Sequence, residues 1–149
     1  MKVIGLIPAR MLSSRFPGKP LAEIEGLPMI IHVLKRASLC KELGSVFVAT
    51  DSEEISRLVE HHGGKAIMTS TKHQTGTDRI AEAIKGIKYD LAINIQGDEV
   101  LLNPDDISRL IRAMRRERSV KFATLVCKAR NSGDVTDCKV VLDQDDNIL

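Results

Sequence analysis

The chain has 149 residues, of which 43% are hydrophobic and 28% charged, and its formal charge is +2. That length suits one domain, and the composition is that of a folded globular chain rather than a disordered one. So small a net charge excludes binding to nucleic acid or an anionic membrane by bulk electrostatics, so any anion must be held by a local cluster.

Cys40, Cys127 and Cys138 are odd in number and widely spaced, with no CxxC pattern. They read as reduced thiols, which predicts a cytoplasmic setting. The run before Pro8 is too short for a secretory signal, and no apolar stretch reaches membrane-spanning length.

In chain order, short apolar runs alternate with segments of helical period. The predicted strands are Val3–Ile7, Val46–Thr50, Ala66–Met68, Leu91–Ile95, Ala123–Val126 and Val140–Leu142. Most are continuously apolar, as suits strands covered on both faces. Four amphipathic stripes lie between them: Ile30, Val33, Leu34 and Ala37; Ile55, Leu58, Val59 and His62; Ile80, Ala83, Ile84 and Ile87; Ile107, Leu110, Ile111 and Met114. Asp51 or Ser52 can cap the second helix, Thr75 or Thr77 the third, and Asn103 the fourth, with Pro104 at N1. Gly44 and Gly63 stand where a left-handed residue would close the first two helices.

This alternation predicts a mostly parallel α/β sheet with helices on both faces, in three layers. In such sheets ligands bind beyond the carboxyl ends of the strands. Pro8–Lys19, Asp51, Thr69–Thr77 and Gln96–Glu99 therefore converge on one edge.

Three of those loops can carry chemistry. "IPARMLSSRFPGKPL" supplies Arg10, Arg15 and Lys19 as fixed charge, with Ser13, Ser14 and Gly18 as close-approach donors. Phosphate oxygens favour that mixture. The loop is not of the GxxxxGK[ST] type, because Ser13 and Pro20 occupy two of its required positions. "INIQGDE" brings Gln96, Gly97 and Asp98 to a strand end, where a carboxylate facing a basic loop can share Mg²⁺ with phosphates. "HQTGTDRIAE" offers threonine hydroxyls, Gly76 and Arg79 to a base or ribose. Taken singly, the first loop reads equally as a solvated basic loop, while the other two read more readily as a solvated turn and a bare helix start. His61 and His62 are adjacent and cannot share a helix face as metal ligands, while the five arginines from Arg109 to Arg118 read as an exposed helix face.

Taken together, "IPAR…SSRFPGKPL", "TGTDRIAEA" and "INIQGDE" resemble the 3-deoxy-manno-octulosonate cytidylyltransferases, or CMP-Kdo synthetases. "EGLPMIIHVLKRA", "VFVATDSEEI" and "KVVLD" extend the likeness through the whole chain. The resemblance implies a Rossmann-like fold of the nucleotide-diphospho-sugar transferase type. It further implies a Mg²⁺-dependent reaction of CTP with 3-deoxy-manno-octulosonate that yields the CMP-sugar and diphosphate for lipopolysaccharide synthesis. By the same resemblance Pro8, Ala9, Arg10, Ser13, Ser14, Arg15 and Lys19 form the nucleotide loop. Arg10 and Lys19 would clamp phosphates, and Asp98 would hold the metal. Thr75, Gly76, Arg79 and Gln96 would lie against the cytidine.

Two segments depart from the family pattern. Met11-Leu12-Ser13-Ser14 stands where Tyr-Ala-Ser-Thr is usual, and Val100 where proline commonly follows Gly-Asp-Glu. Family members continue past Leu149 into a segment supplying sugar contacts, a second metal-binding aspartate and the homodimer interface. The 149 residues are thus expected to be a nucleotide-binding portion. A related sugar-acid cytidylyltransferase, using an 8-amino-octulosonate or a sialic acid, and a CTP-binding module without turnover are the alternatives.

Overall fold

The computed structural model describes residues 1–12, 16–127, 140–141 and 143–144. Four parallel strands form its main sheet: β1 (Val3–Ala9), β4 (Ser45–Thr50), β5 (Ala66–Met68) and β6 (Leu91–Asn94). A small antiparallel pair, β2 (Glu23–Ile24) and β3 (Leu27–Pro28), stands apart from it. The helices are α1 (Met29–Ser38), α2 (Glu53–His61), α3 (Gly76–Ala83) and α4 (Pro104–Arg116).

The main sheet runs in the order β5-β4-β1-β6. The chain therefore moves outward from β1 through β4 to β5, then crosses back to place β6 on the other side of β1. Ile4 pairs with Ser45 on one side and Ala92 on the other. This reversal opens a crevice between the carboxyl ends of β1 and β6, the usual ligand position in open α/β sheets.

Alternation along β1 sorts its side chains between two cores. Val3, Ile7 and Ala9 pack with Ile30, Ile31, Val33, Leu34, Ile55, Val59, Ile107 and Ile111, so α1, α2 and α4 cover one face. Ile4 and Leu6 pack with Ala49, Ile80 and Ala83, so α3 covers the other. Helices thus lie on both sides of the sheet, and the three-layer α/β/α expectation holds.

The helix boundaries follow the predicted caps. Ser52 Oγ accepts from Ile55 N–H, Thr75 Oγ1 from Asp78 N–H, and Asn103 Oδ1 from Asp105 N–H. Gly63 closes α2 at φ 74°, as predicted. Gly44 does not close α1. That helix stops at Ser38 with Leu39 in the right-handed region, and Gly44 instead donates its N–H to Val3 O at 2.9 Å to start β4. The third stripe also breaks early: α3 ends at Ala83 and Ile84–Gly86 continue as a turn of 3-10 helix.

The predicted strand Ala123–Val126 does not form, and Leu125 and Val126 are half exposed. An apolar, β-branched run becomes a strand only by pairing, and among the described residues β6 is paired on its β1 side alone. Val140 and Val141 are likewise outside any strand, and Leu142 lies outside the described residues, as does Cys138. No helix among the described residues is long and apolar enough to cross a membrane.

Candidate active site

A cleft of about 340 Å³ opens at the carboxyl ends of β1 and β6. Its floor is built by Pro8, Ala9 and Arg10 leaving β1, and by Gln96, Gly97 and Asp98 following β6. Gly97 is required there by close approach: a Cβ at that position would lie 2.8 Å from Pro8 O.

The first wall is the basic loop. Gly18, at φ 72°, returns its N–H to Met11 O at 2.9 Å and so closes the loop back on its start. A short 3-10 turn, Lys19–Leu21, then carries Lys19 over the cleft. Lys19 Nζ meets Asp98 Oδ2 at 2.5 Å, with both side chains partly exposed. Ser13, Ser14 and Arg15 lie outside the described residues.

Opposite stands the segment before α3. Gln74, Thr75 and Gly76 line the cleft there. Arg10 Nη1 donates to Gln74 O at 3.1 Å, linking this wall to the β1 end. Gly76 packs on Pro8, where an added Cβ would meet the ring at 3.0 Å. Gln74 and Met29 were not among the sequence candidates. Gln74 takes part through its backbone carbonyl, which no side-chain pattern announces.

Arg79 is placed differently from the sequence expectation. It does not line the cleft: its side chain is 2% exposed and paired with Asp51 Oδ2 at 2.7 Å. The same guanidinium donates to Thr69 Oγ1 at 2.6 Å, and Thr69 Oγ1 in turn donates to Thr50 O at 3.0 Å. Arg79 therefore ties α3 to the ends of β4 and β5. A buried guanidinium needs all its partners on the protein, which leaves it turned from the ligand space.

Two glutamates outside the cleft have their charged forms stabilised by hydrogen-bond donors. The Ser70 backbone N–H, helped by the His73 ring, holds the Glu82 carboxyl below its ordinary range. The Ser108 hydroxyl, with Arg112, does the same for Glu42. Ser108 Oγ donates to Glu42 at 2.6 Å and Arg112 Nε at 3.0 Å, so this second cluster fastens α4 to the turn after α1. Part of the predicted arginine face thus has a structural duty.

No group of three or more His, Cys, Asp or Glu side chains among the described residues is arranged to hold a metal. Asp98 nevertheless has a half-exposed carboxylate at the cleft. One carboxylate with substrate phosphates is a usual donor set for Mg²⁺, so the residues present suit an ion shared with a nucleotide.

A family model of cytidylyltransferases matches residues 4–148. The chain belongs to the cytidylyltransferase family. It is 53% identical over 141 residues to an 8-amino-3,8-dideoxy-manno-octulosonate cytidylyltransferase of Shewanella sp. (strain W3-18-1), covering 92% of this chain and 58% of that protein. The protein of that name from Shewanella frigidimarina is 48% identical, with 100% and 64% covered. The chain thus spans about three-fifths of the length of these curated relatives.

Among solved structures, CMP:2-keto-3-deoxy-manno-octonic acid synthetase complexed with CTP superposes with a TM-score of 0.79 at 44% identity. It covers 80% of this chain and 50% of the other. A cytidylyltransferase from Leptospira borgpetersenii gives 0.70 at 24% identity, over 79% of this chain and 50% of that one, which speaks for the fold alone.

Proposed function

We propose that this cytidylyltransferase chain binds CTP in the β1/β6 cleft and takes part in transferring CMP to a 3-deoxy-octulosonate sugar acid. The observation carrying this reading is the meeting of Arg10, Lys19 and Asp98 with Gln96, Thr75 and Gly76 around one crevice. The solved relative complexed with CTP supports the nucleotide. The names of the relatives at 48–53% identity support the 8-amino-3,8-dideoxy-manno-octulosonate as acceptor over the unsubstituted sugar acid.

In this reading the anomeric hydroxyl attacks the α-phosphorus and the bond to diphosphate breaks. Such a transfer depends on alignment and on charge stabilisation. Lys19 and Arg10 would neutralise the departing diphosphate, and Gln96, Thr75 and Gly76 would flank the nucleoside. Asp98 would hold Mg²⁺, which when bound supplies Lewis-acid polarisation at the α-phosphate. Ser13, Ser14 and Arg15 complete the proposed nucleotide loop by motif.

Calorimetry with CTP and ATP in the presence of Mg²⁺ tests the binding step. Tighter binding of CTP is expected, and equal affinity for the two would overturn the cytidine assignment. Diphosphate release from CTP, assayed with each of the two sugar acids in turn, tests the acceptor. Faster release with the unsubstituted sugar acid would remove the 8-amino assignment.

A further inference from the structure

The motif "HQTGTDRIAE" begins at His73 and ends at Glu82, and these two residues touch. Glu82 accepts from the His73 ring and also from the Ser70 backbone N–H, the latter at 2.9 Å. Arg79, three residues earlier on the same helix, reaches Thr69 at 2.6 Å and Ser70 O at 3.5 Å. Residues three apart share a helix face, so one face of α3 grips the segment that leads into it.

That segment continues directly into the cleft wall. Gln74 follows His73 and Thr75 follows Gln74. Beyond the clasp the wall is held by Arg10 on the Gln74 carbonyl and by Thr75 capping α3. Neither His73 nor Glu82 lines the cleft. A glutamate on a helix surface is ordinarily solvated; here its carboxylate is committed to a backbone donor and a ring on the approach to the wall.

We propose that Glu82 and His73 are positioning residues, which set Gln74 and Thr75 against the nucleoside by clasping residues 70–73 to α3. This rests on reading the cleft as a CTP site. The clasp acts on the wall opposite Lys19, so its loss should be felt by the nucleoside half of the ligand rather than by the distal phosphates.

The test measures CTP and CMP binding by calorimetry, together with amide exchange at Ser70, in the parent chain, Glu82→Ala, Glu82→Gln and His73→Ala. Glu82→Ala should weaken CTP and CMP alike, by about threefold to tenfold, the equivalent of an ordinary hydrogen bond. Ser70 exchange should quicken in step. Glu82→Gln should recover most of the affinity, since its amide oxygen still accepts from Ser70, and His73→Ala should fall between the two. Parental affinity in folded Glu82→Ala, or a loss confined to CTP, would overturn the proposal. If the parent chain binds neither nucleotide, the CTP reading fails on its own. The clasp is then judged by exchange alone, and unchanged Ser70 exchange in Glu82→Ala would refute it.

Discussion

Lys19 Nζ lies 2.5 Å from Asp98 Oδ2, joining the basic wall of the cleft to its floor across 79 positions of sequence. Both side chains are partly exposed, at 38% and 51%, so the pair is screened and readily exchanged for other partners. The ammonium neutralises the carboxylate proposed to hold Mg²⁺. On the proposed reading a metal–triphosphate would offer each group a better partner: phosphate for Lys19 and the ion for Asp98.

Lys19→Ala should therefore weaken CTP far more than CMP. A charge-assisted contact contributes about 1.5–3 kcal/mol, so calorimetry should record a loss of about tenfold or more for CTP. Binding of Mn²⁺ alone should move the opposite way, tightening once Asp98 is relieved of its cationic neighbour. Equal losses for CMP and CTP would remove Lys19 from the distal phosphates.

Asp51→Ala should cost more stability than Lys19→Ala, Glu82→Ala or Gly97→Ala. It strands the Arg79 guanidinium, whose side chain is 2% exposed and whose ionic partner lies 2.7 Å away. Removing one member of a buried pair costs about 3–5 kcal/mol, because the remaining charge stays desolvated. Urea unfolding should show a lower midpoint with the slope retained. A midpoint unchanged from the parent would mean that Thr69 and Ser70 suffice to hold Arg79.

How far these relationships could be read in the sequence depends on the range of the forces involved. Continuous apolar runs and side-chain caps are local, and Val3, Ser52, Thr75 and Asn103 announce β1, α2, α3 and α4 directly. The convergence of Arg10, Lys19, Gln96 and Asp98 follows from strand order, because parallel connections send every strand end to one edge. Arg79 misled because a helix-start arginine looks the same in sequence whether it faces ligand or Asp51. The β2–β3 hairpin was also hidden. Its strands have two residues each, and its turn depends on Glu25 and Gly26 both taking positive φ, at 49° and 74°. Ala123–Val126 has strand composition, but pairing is a tertiary property that composition does not carry.

Gly97→Ala should disturb both fold and ligand binding. The new methyl would meet Pro8 O at 2.8 Å, and that obstacle is backbone in the central strand's exit rather than a yielding side chain. Forcing β1 and the Gln96–Asp98 turn apart would cost about 1–3 kcal/mol, the usual range for overpacking. It would also widen the cleft floor. Thermal unfolding should fall and CTP affinity should fall with it. Parental values for both would mean the floor relaxes freely.

Acid should weaken the protein through Glu42 and Glu82. Ser108 and Arg112 lower the folded-state value of Glu42, and Ser70 and His73 lower that of Glu82. Each carboxyl therefore binds its proton less readily in the folded chain than in the unfolded one. Where the unfolded state takes up more protons, stability rises with pH. The contribution of both groups is complete above the ordinary glutamate value of about 4.3 and drains away as pH falls through the lower folded values. Urea midpoints followed downward from neutral pH should decline across that acidic window, and Glu42→Gln or Glu82→Gln should flatten the decline while lowering the neutral plateau. A variant whose pH profile matches the parent's, slope for slope, would take that glutamate out of the acid transition.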